Sequence, residues 1–307
     1  MLWIAIINEY IKIEKFMDFV FPYVDVESWR KLYNEYKSST EAVENLLNCR
    51  YDSNVEFIRF IFRSVEKHLP FIDRIVLIVQ DDEHVPYFVN RDKVKIVYHK
   101  DFIPNDILPI FSSNVIETCM PNIEGLSERF IYSNDDCIAM KPLTENDFFY
   151  KDTIRTDVGR RKFNINKTYD AFRNTSKNSN VIAGFDVNKT GYMFGVSHNM
   201  IGMYRDENKK FHDKHKDVLL KSLTRFRENN NYNQYMYSLN LMMTKGVNLE
   251  YPNYRTFGRL FNDDHNGVLL DMYNYHLVCF NDITDTQFII DDFKKKDFLQ
   301  VKSKYEI

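Results

Sequence analysis

Glycine is scarce in this chain, with nine in 307 residues and none arranged as GxGxxG or GxxxxGK[ST]. A nucleotide bound here is therefore held without a dinucleotide fingerprint or a P-loop. The four cysteines, Cys49, Cys119, Cys137 and Cys279, stand far apart and form no CxxC pair. That spacing argues against a zinc site and for a reduced, cytosolic setting. Basic runs are missing as well: 41 Lys and Arg against 44 Asp and Glu leave a net charge of −3. No segment is suited to neutralising the phosphates of a nucleic acid, which excludes that class of partner. Long apolar runs are also absent. The opening LWIAII is too short to span a membrane, follows no basic segment and is succeeded by Glu9 and Glu14, so it reads as neither signal nor anchor. There is no internal repeat.

What the chain does have is apolar mass, 44% of residues with 15% aromatic, enough for a large buried core. Nearly unbroken apolar stretches at Met17–Val24 (MDFVFPYV), from Arg74 (RIVLIVQ) and from Lys93 (KVKIVYH) have the character of strands buried on both faces. RFIYS from Arg129 is a shorter one. Between them, residues 27–47, 55–68 and 112–119 carry helical spacing, the second ending before Pro70. Strands alternating with helices predict an α/β domain with a mostly parallel sheet, whose ligands bind beyond the carboxyl ends of the strands. Farther on, residues 151–190 are polar and Asn-rich and read as a mobile insertion or lid without regular structure. A strand is expected at 192–196, helices at 199–206, 213–222 and 231–245, a strand from His276 (HLVCF), and an amphipathic helix over 284–304.

The densest chemical signal is LSERFIYSNDD, Leu126 to Asp136, where a strand ends in Asn134, Asp135 and Asp136. Such triplets commonly cap or turn the chain. They also offer three adjacent oxygen donors suited to a hard divalent cation, and through it to a diphosphate. Asp25 ends another strand, and a single site beyond the sheet can hold both groups. Alone, Asp25 reads equally as a cap for the helix beginning near Glu27. Glu56, Arg59, Arg63 and Glu66 are spaced for ion pairs along one helical face, and Arg63 is also suited to a bidentate grip on a diphosphate.

Taken together, four blocks resemble the Stealth family of sugar-1-phosphate transferases. They are DFVFPYVDVESWRKLY from Asp18, in which Asp25 and Trp29 match but Val26 replaces the usual Gly; Arg50–Val79, with Arg63 and HLPFIDRIVLIV; Lys100–Asp136 through NDD; and a looser C-terminal region with His198, Arg225, Phe226, Arg227 and CFND at 279–282. The matched region begins at Met17, so residues 1–16 are an extension and 17–307 the transferase domain.

The resemblance implies a Rossmann-like nucleotide-sugar-transferase core and transfer of a hexose-1-phosphate from a nucleotide-diphosphate sugar, a UDP-hexose or UDP-N-acetylhexosamine, to a hydroxyl of a glycan or lipid-linked oligosaccharide. The products would be the phosphodiester linkages of capsular or surface polysaccharide. It implies Mg²⁺ or Mn²⁺ on Asn134, Asp135, Asp136 and Asp282. Asp25, His198 and Arg225 would be catalytic, and Arg63, Arg227 and Asn281 would bind the donor. The acceptor would bring the enzyme to the inner face of the membrane as a peripheral protein. Two readings compete: a metal-dependent glycosyltransferase attacking the anomeric carbon, and a glycan-binding protein without turnover.

Overall fold

The structure, a computed structural model, describes residues 16–36, 55–164, 166–196, 198–246, 272–280 and 286–307. Its centre is a five-stranded sheet. β1 (Met17–Pro22) is followed by α1 (Val26–Tyr36) and α2 (Val55–His68), then β2 (Arg74–Val79), β3 (Val94–Tyr98), α3 (Ser113–Cys119) and β4 (Arg129–Tyr132). Beyond β4 come β5 (Cys137–Ala139), a small hairpin of β6 (Phe149–Tyr150) and β7 (Thr153–Ile154), then β8 (Val158–Lys162), α4 (Ala171–Ile182), α5 (Val187–Thr190) and β9 (Tyr192–Val196). The chain continues through β10 (Ile201–Tyr204), α6 (Arg205–Lys214), α7 (Lys216–Lys221), α8 (Tyr235–Lys245), β11 (Leu277–Cys279) and α9 (Gln287–Lys295).

The sheet order is β10-β4-β1-β2-β3, with β1 to β4 mutually parallel and β10 antiparallel at the edge. This is the mostly parallel α/β architecture that the sequence predicts. The chain builds outward from β1 through β2 to β3, then returns to place β4 on the other flank of β1. The reversal opens a crevice between the carboxyl ends of β1 and β4, where sheets of this kind receive ligands.

All six residues of β1 are buried, Asp18 among them. A buried carboxylate is tolerated only when paired, and Asp18 takes two bonds from Arg74, its register partner on β2, at 2.8 and 3.0 Å, and one from the Ser127 N–H at 2.8 Å. This cluster fixes the register at the end of the sheet remote from the crevice. α2 buries Phe57, Ile58, Phe60, Ile61 and Phe62 in the same core as β1 and β2. Its 14 residues match the expected helix because the apolar spacing is strong.

Three expectations are corrected. Residues 151–190 are not structureless: β8 pairs with β9, and α4 is capped by Asp170, whose carboxylate accepts the Arg173 N–H at 2.8 Å. Polar side chains hold α4 in place. Asn180 Nδ2 donates to the Phe194 carbonyl and its Oδ1 accepts the Phe194 N–H, while Ser179 accepts the Asn233 N–H. Apolar periodicity is blind to such contacts. Residues 201–204, expected within a helix, are the strand β10, and the tail helix covers only Gln287–Lys295. Among the described residues no helix is long and apolar enough to cross a membrane. Residues 1–15 lie outside the described residues.

Candidate functional site

Each of the four parallel strands delivers residues to one cavity of about 220 Å³ beyond its carboxyl end: Tyr23 and Val24 after β1, Gln80 after β2, His99 after β3, and Asn134 to Asp136 after β4. α1 closes one wall with Trp29 and Tyr33, stacked at 4.8 Å. Phe111 and Phe226 stack at 5.2 Å, and Phe111 meets Tyr33 edge-on at 5.1 Å, so the same wall is continuous with the loop after α7.

Asn134, Asp135 and Asp136 are half-buried. The Ser133 N–H donates to the Val20 carbonyl at 2.9 Å, which extends the β1–β4 ladder to the foot of the triplet. Asn134 Oδ1 accepts the Tyr132 hydroxyl at 3.3 Å, and its Nδ2 lies 2.9 Å from His198 Nε2. His198 Nε2 stands 4.0 Å from Asp136 Oδ2. The triplet and His198 are thus brought together on the cavity wall, at the switch between β1 and β4.

The wall is acidic: among the described residues lining it stand the carboxylates of Asp135, Asp136 and Glu117 against the single guanidinium of Arg227. Neighbouring phenols register that charge. Burial raises the pKa of the Tyr23 hydroxyl, and Asp25 and Asp135 raise it further. Tyr132 is raised by burial, then by Glu117 and Asp135. Asp135 and Asp136 with Asn134 offer hard oxygen donors in a negative field, a set that fits Mg²⁺ or Mn²⁺.

A second group is one that sequence spacing concealed. Cys137 and Cys279 face each other across β5 and β11, and their sulfurs lie with an Asp136 oxygen within 4.8 Å of one another. Burial pushes both thiols above their ordinary range, so they present neutral S–H groups, poorer donors for a hard cation than the triplet's oxygens.

The remaining predicted residues separate. Asp25 is not part of the cavity wall, and its Oδ1 accepts the Ser28 N–H at 2.9 Å at the start of α1, as a cap does. Arg227 lines the cavity and donates to Ser113 Oγ at 2.7 Å. Arg225 does not line it; its guanidinium donates to the carbonyls of Ile107, Leu108 and Pro109 and lies 4.7 Å from the Tyr36 ring centroid. Arg63 is also held elsewhere, bound to Glu306 through two nitrogens and to the Leu299 carbonyl. Asn281 and Asp282 lie outside the described residues, although Phe280 lines the cavity and its N–H donates to the Asp136 carbonyl at 2.7 Å.

Sequence reasoning passed over Gln80, His84, His99 and Glu117. Gln80 and His99 directly follow β2 and β3, so the strand-end rule, applied to every strand, finds them. Glu117 is buried on α3, where its Oε2 accepts the Gln234 N–H at 2.9 Å, and no sequence pattern marks it. The polar lining is incompletely satisfied. Side-chain atoms of His84, His99, Ser112, Asn114 and Gln234 are buried without a hydrogen-bond partner, and all five residues line this cavity. Buried polar atoms without partners are rare in native proteins, and their concentration here marks a place for a polar ligand.

Conserved region 2 of the Stealth proteins matches residues 50–157. The capsular polysaccharide phosphotransferase SacB of Neisseria meningitidis serogroup A is 36% identical over 140 residues, covering 45% of this chain and 25% of SacB. The capsular polysaccharide phosphotransferase WcwK of Streptococcus pneumoniae is 26% identical over 333 residues, covering 95% of this chain and 99% of WcwK. Residues 50–157 are thus similar to the Stealth proteins, and polysaccharide phosphotransferases resemble the chain both over part of its length and along nearly all of it. The matched Stealth region spans β2, β3, α3 and β4, and so supplies most of the cavity's strand-end residues. The aligned stretch is a quarter of SacB's length. The crystal structure of the galactosyltransferase LgtC, in complex with donor and acceptor sugar analogs, aligns over 86% of each chain at 13% identity with a TM-score of 0.37, too slight a likeness to carry weight.

Proposed function

We propose that this protein transfers a hexose 1-phosphate from a nucleotide-diphosphate sugar, UDP-linked, to a glycan hydroxyl, forming a phosphodiester in a capsular or surface polysaccharide. The observation that carries the reading is the convergence of Asn134, Asp135, Asp136 and His198 on one wall of the cavity at the β1–β4 switch. The chain's likeness to SacB and WcwK, both polysaccharide phosphotransferases, supports it.

In this reading the acceptor oxygen bonds to the β-phosphorus as the bridging P–O bond to the α-phosphate breaks, and nucleoside monophosphate leaves with that bond's electron pair. His198 takes the hydroxyl proton. Its Nε2 lies 2.9 Å from Asn134 Nδ2, and a neutral imidazole keeps one ring nitrogen as a proton acceptor. Asp25, with one carboxylate oxygen committed to the cap, is the weaker candidate. Arg227 offsets charge gathering on the transferred phosphoryl oxygens, the part expected of Arg225, and its bond to Ser113 fixes the guanidinium in place. Three carboxylates against one guanidinium repel a diphosphate. A divalent cation on Asn134, Asp135 and Asp136, with Asp282 as a further ligand and Asn281 on the donor side, would supply the neutralising charge. The donor pool and the lipid-linked acceptor put the reaction at the inner face of the membrane.

The spent nucleotide decides between this reaction and an ordinary glycosyl transfer. Attack at phosphorus releases UMP and leaves a phosphodiester signal in the phosphorus NMR spectrum of the product. UDP accumulating in step with a phosphorus-free glycan would refute the proposal.

A further inference from the structure

Gln80, His84 and His99 line the end of the cavity beyond β2 and β3, on the opposite side of β1 from the triplet. His84 and His99 are more than nine-tenths buried, yet Nε2 of His84 and Nδ1 of His99 have no hydrogen-bond partner. The half-buried Gln80 amide is likewise without a partner among the described residues. We propose that Gln80, His84 and His99 form the subsite that reads the edge of the donor's nucleobase, uracil in the donor argued above. The inference rests on that donor.

Both chemistry and distance favour a base here. His84 Nδ1 sits 2.6 Å from Asp81 Oδ1, so that nitrogen carries the proton given to the carboxylate. Its Nε2 is buried at the cavity without a hydrogen-bond partner. Burial, with the nearby His84 adding to it, pushes His99 down to about 3, so its ring is neutral and offers one donor and one acceptor. The Gln80 amide adds a donor pair and a carbonyl. The set therefore supplies an acceptor among donors, the complement of an imide edge with its N–H between two carbonyls. A phosphate would leave the acceptor of the neutral His99 ring idle. The ends of β4 and β3 are three inter-strand spacings apart, about 14 Å, which a nucleoside diphosphate laid across the strand ends bridges. With the diphosphate at Asp135 and Asp136, the base falls at His99.

Calorimetry on the full chain with Mg²⁺, titrating UMP and ribose 5-phosphate separately, tests the assignment. The wild type should bind UMP more tightly, on the order of 10²-fold, because a site with buried polar groups rejects a ligand that leaves them unpaired. His99→Ala and Gln80→Ala should each weaken UMP by about tenfold or more while ribose 5-phosphate is unchanged. Gln80, half-buried at a strand end, can be truncated without opening the core, so the test survives misfolding of the His99 variant. In the wild type, the imidazole nitrogen resonances of His99 should move with UMP and stay still with ribose 5-phosphate. Unchanged UMP affinity in folded Gln80→Ala, or equal losses for both ligands, would overturn the subsite and leave the transferase reading intact. Failure of the wild type to bind either ligand would bring down both.

Discussion

Arg63 grips both carboxylate oxygens of Glu306, Nε at 2.8 Å and Nη2 at 3.0 Å, across 243 positions of the chain. Arg59 Nη1 adds a third contact at 2.9 Å, and the Glu306 side chain is fully shielded from solvent. The end of the chain is therefore riveted to α2. Removing one partner strands a buried charge, so Glu306→Gln or Arg63→Ala should cost about 3 kcal/mol, read as a lower urea midpoint. Donor KM should stay near the wild-type value in either variant below the transition. A raised donor KM at unchanged stability would return Arg63 to the donor.

Asp135→Asn and Asp136→Asn should each abolish turnover while the urea midpoint and circular dichroism stay close to wild type. Both carboxylates are half-buried on a cavity wall, so the change removes charge and opens no core void. Full activity of either variant at saturating Mg²⁺ would dismiss the cation from this position.

His198→Ala should lower kcat by roughly 10²-fold or more, with a smaller effect on donor KM, and should erase the acidic limb of the kcat profile. Asp25→Asn supplies the contrast. It retains an oxygen for the Ser28 N–H and should leave kcat within a few-fold, with stability reduced by less than about 1 kcal/mol. Loss of activity on Asp25→Asn with a normal profile for His198→Ala would exchange their roles.

The imidazoles of His68 and His99 are both held below their ordinary range, mainly by burial. In this window the unfolded chain binds protons that the folded chain refuses, so stability is fully present above the unfolded value near 6.5 and falls as the pH drops below it. Each refusing histidine steepens the loss by up to about 1.4 kcal/mol per pH unit, and for His99 the slope continues to about pH 3. Below about pH 4.5 Glu306 adds to the loss: burial works against its charge, but Arg63 and Arg59 hold it below the usual carboxylate range. Urea midpoints measured between pH 8 and 5 should decline on acidification, and His99→Asn should flatten the decline. A midpoint that rises on acidification would contradict the burial of these rings.

The first half of the fold was legible because its strands are buried on both faces and α2 is strongly periodic. β10 was not. Met200 to Tyr204 is a short apolar run that fits helix or strand, and only pairing with β4, some seventy residues earlier, decides it. At the site, residue types were legible and partners were not. Arg63 and Arg225 have the charge a diphosphate needs, but Glu306 and the carbonyls of 107–109 reach them first, through contacts that span more than a hundred positions. His99 was hidden for a different reason: a histidine at the end of an apolar strand looks like any boundary residue until its burial is known.

The antiparallel direction of β10 has an architectural result. The polypeptide departs the centre at Asn134 and returns at His198, 64 positions later, and both departure and return are pinned, by the amide–imidazole contact and by Ile201 opposite Tyr132. What lies between is a detour with fixed gateposts. Its ribbon of β8 and β9, with the helices between them, is thus an excursion tethered at both ends, and the histidine keeps its station beside the aspartates through those tethers.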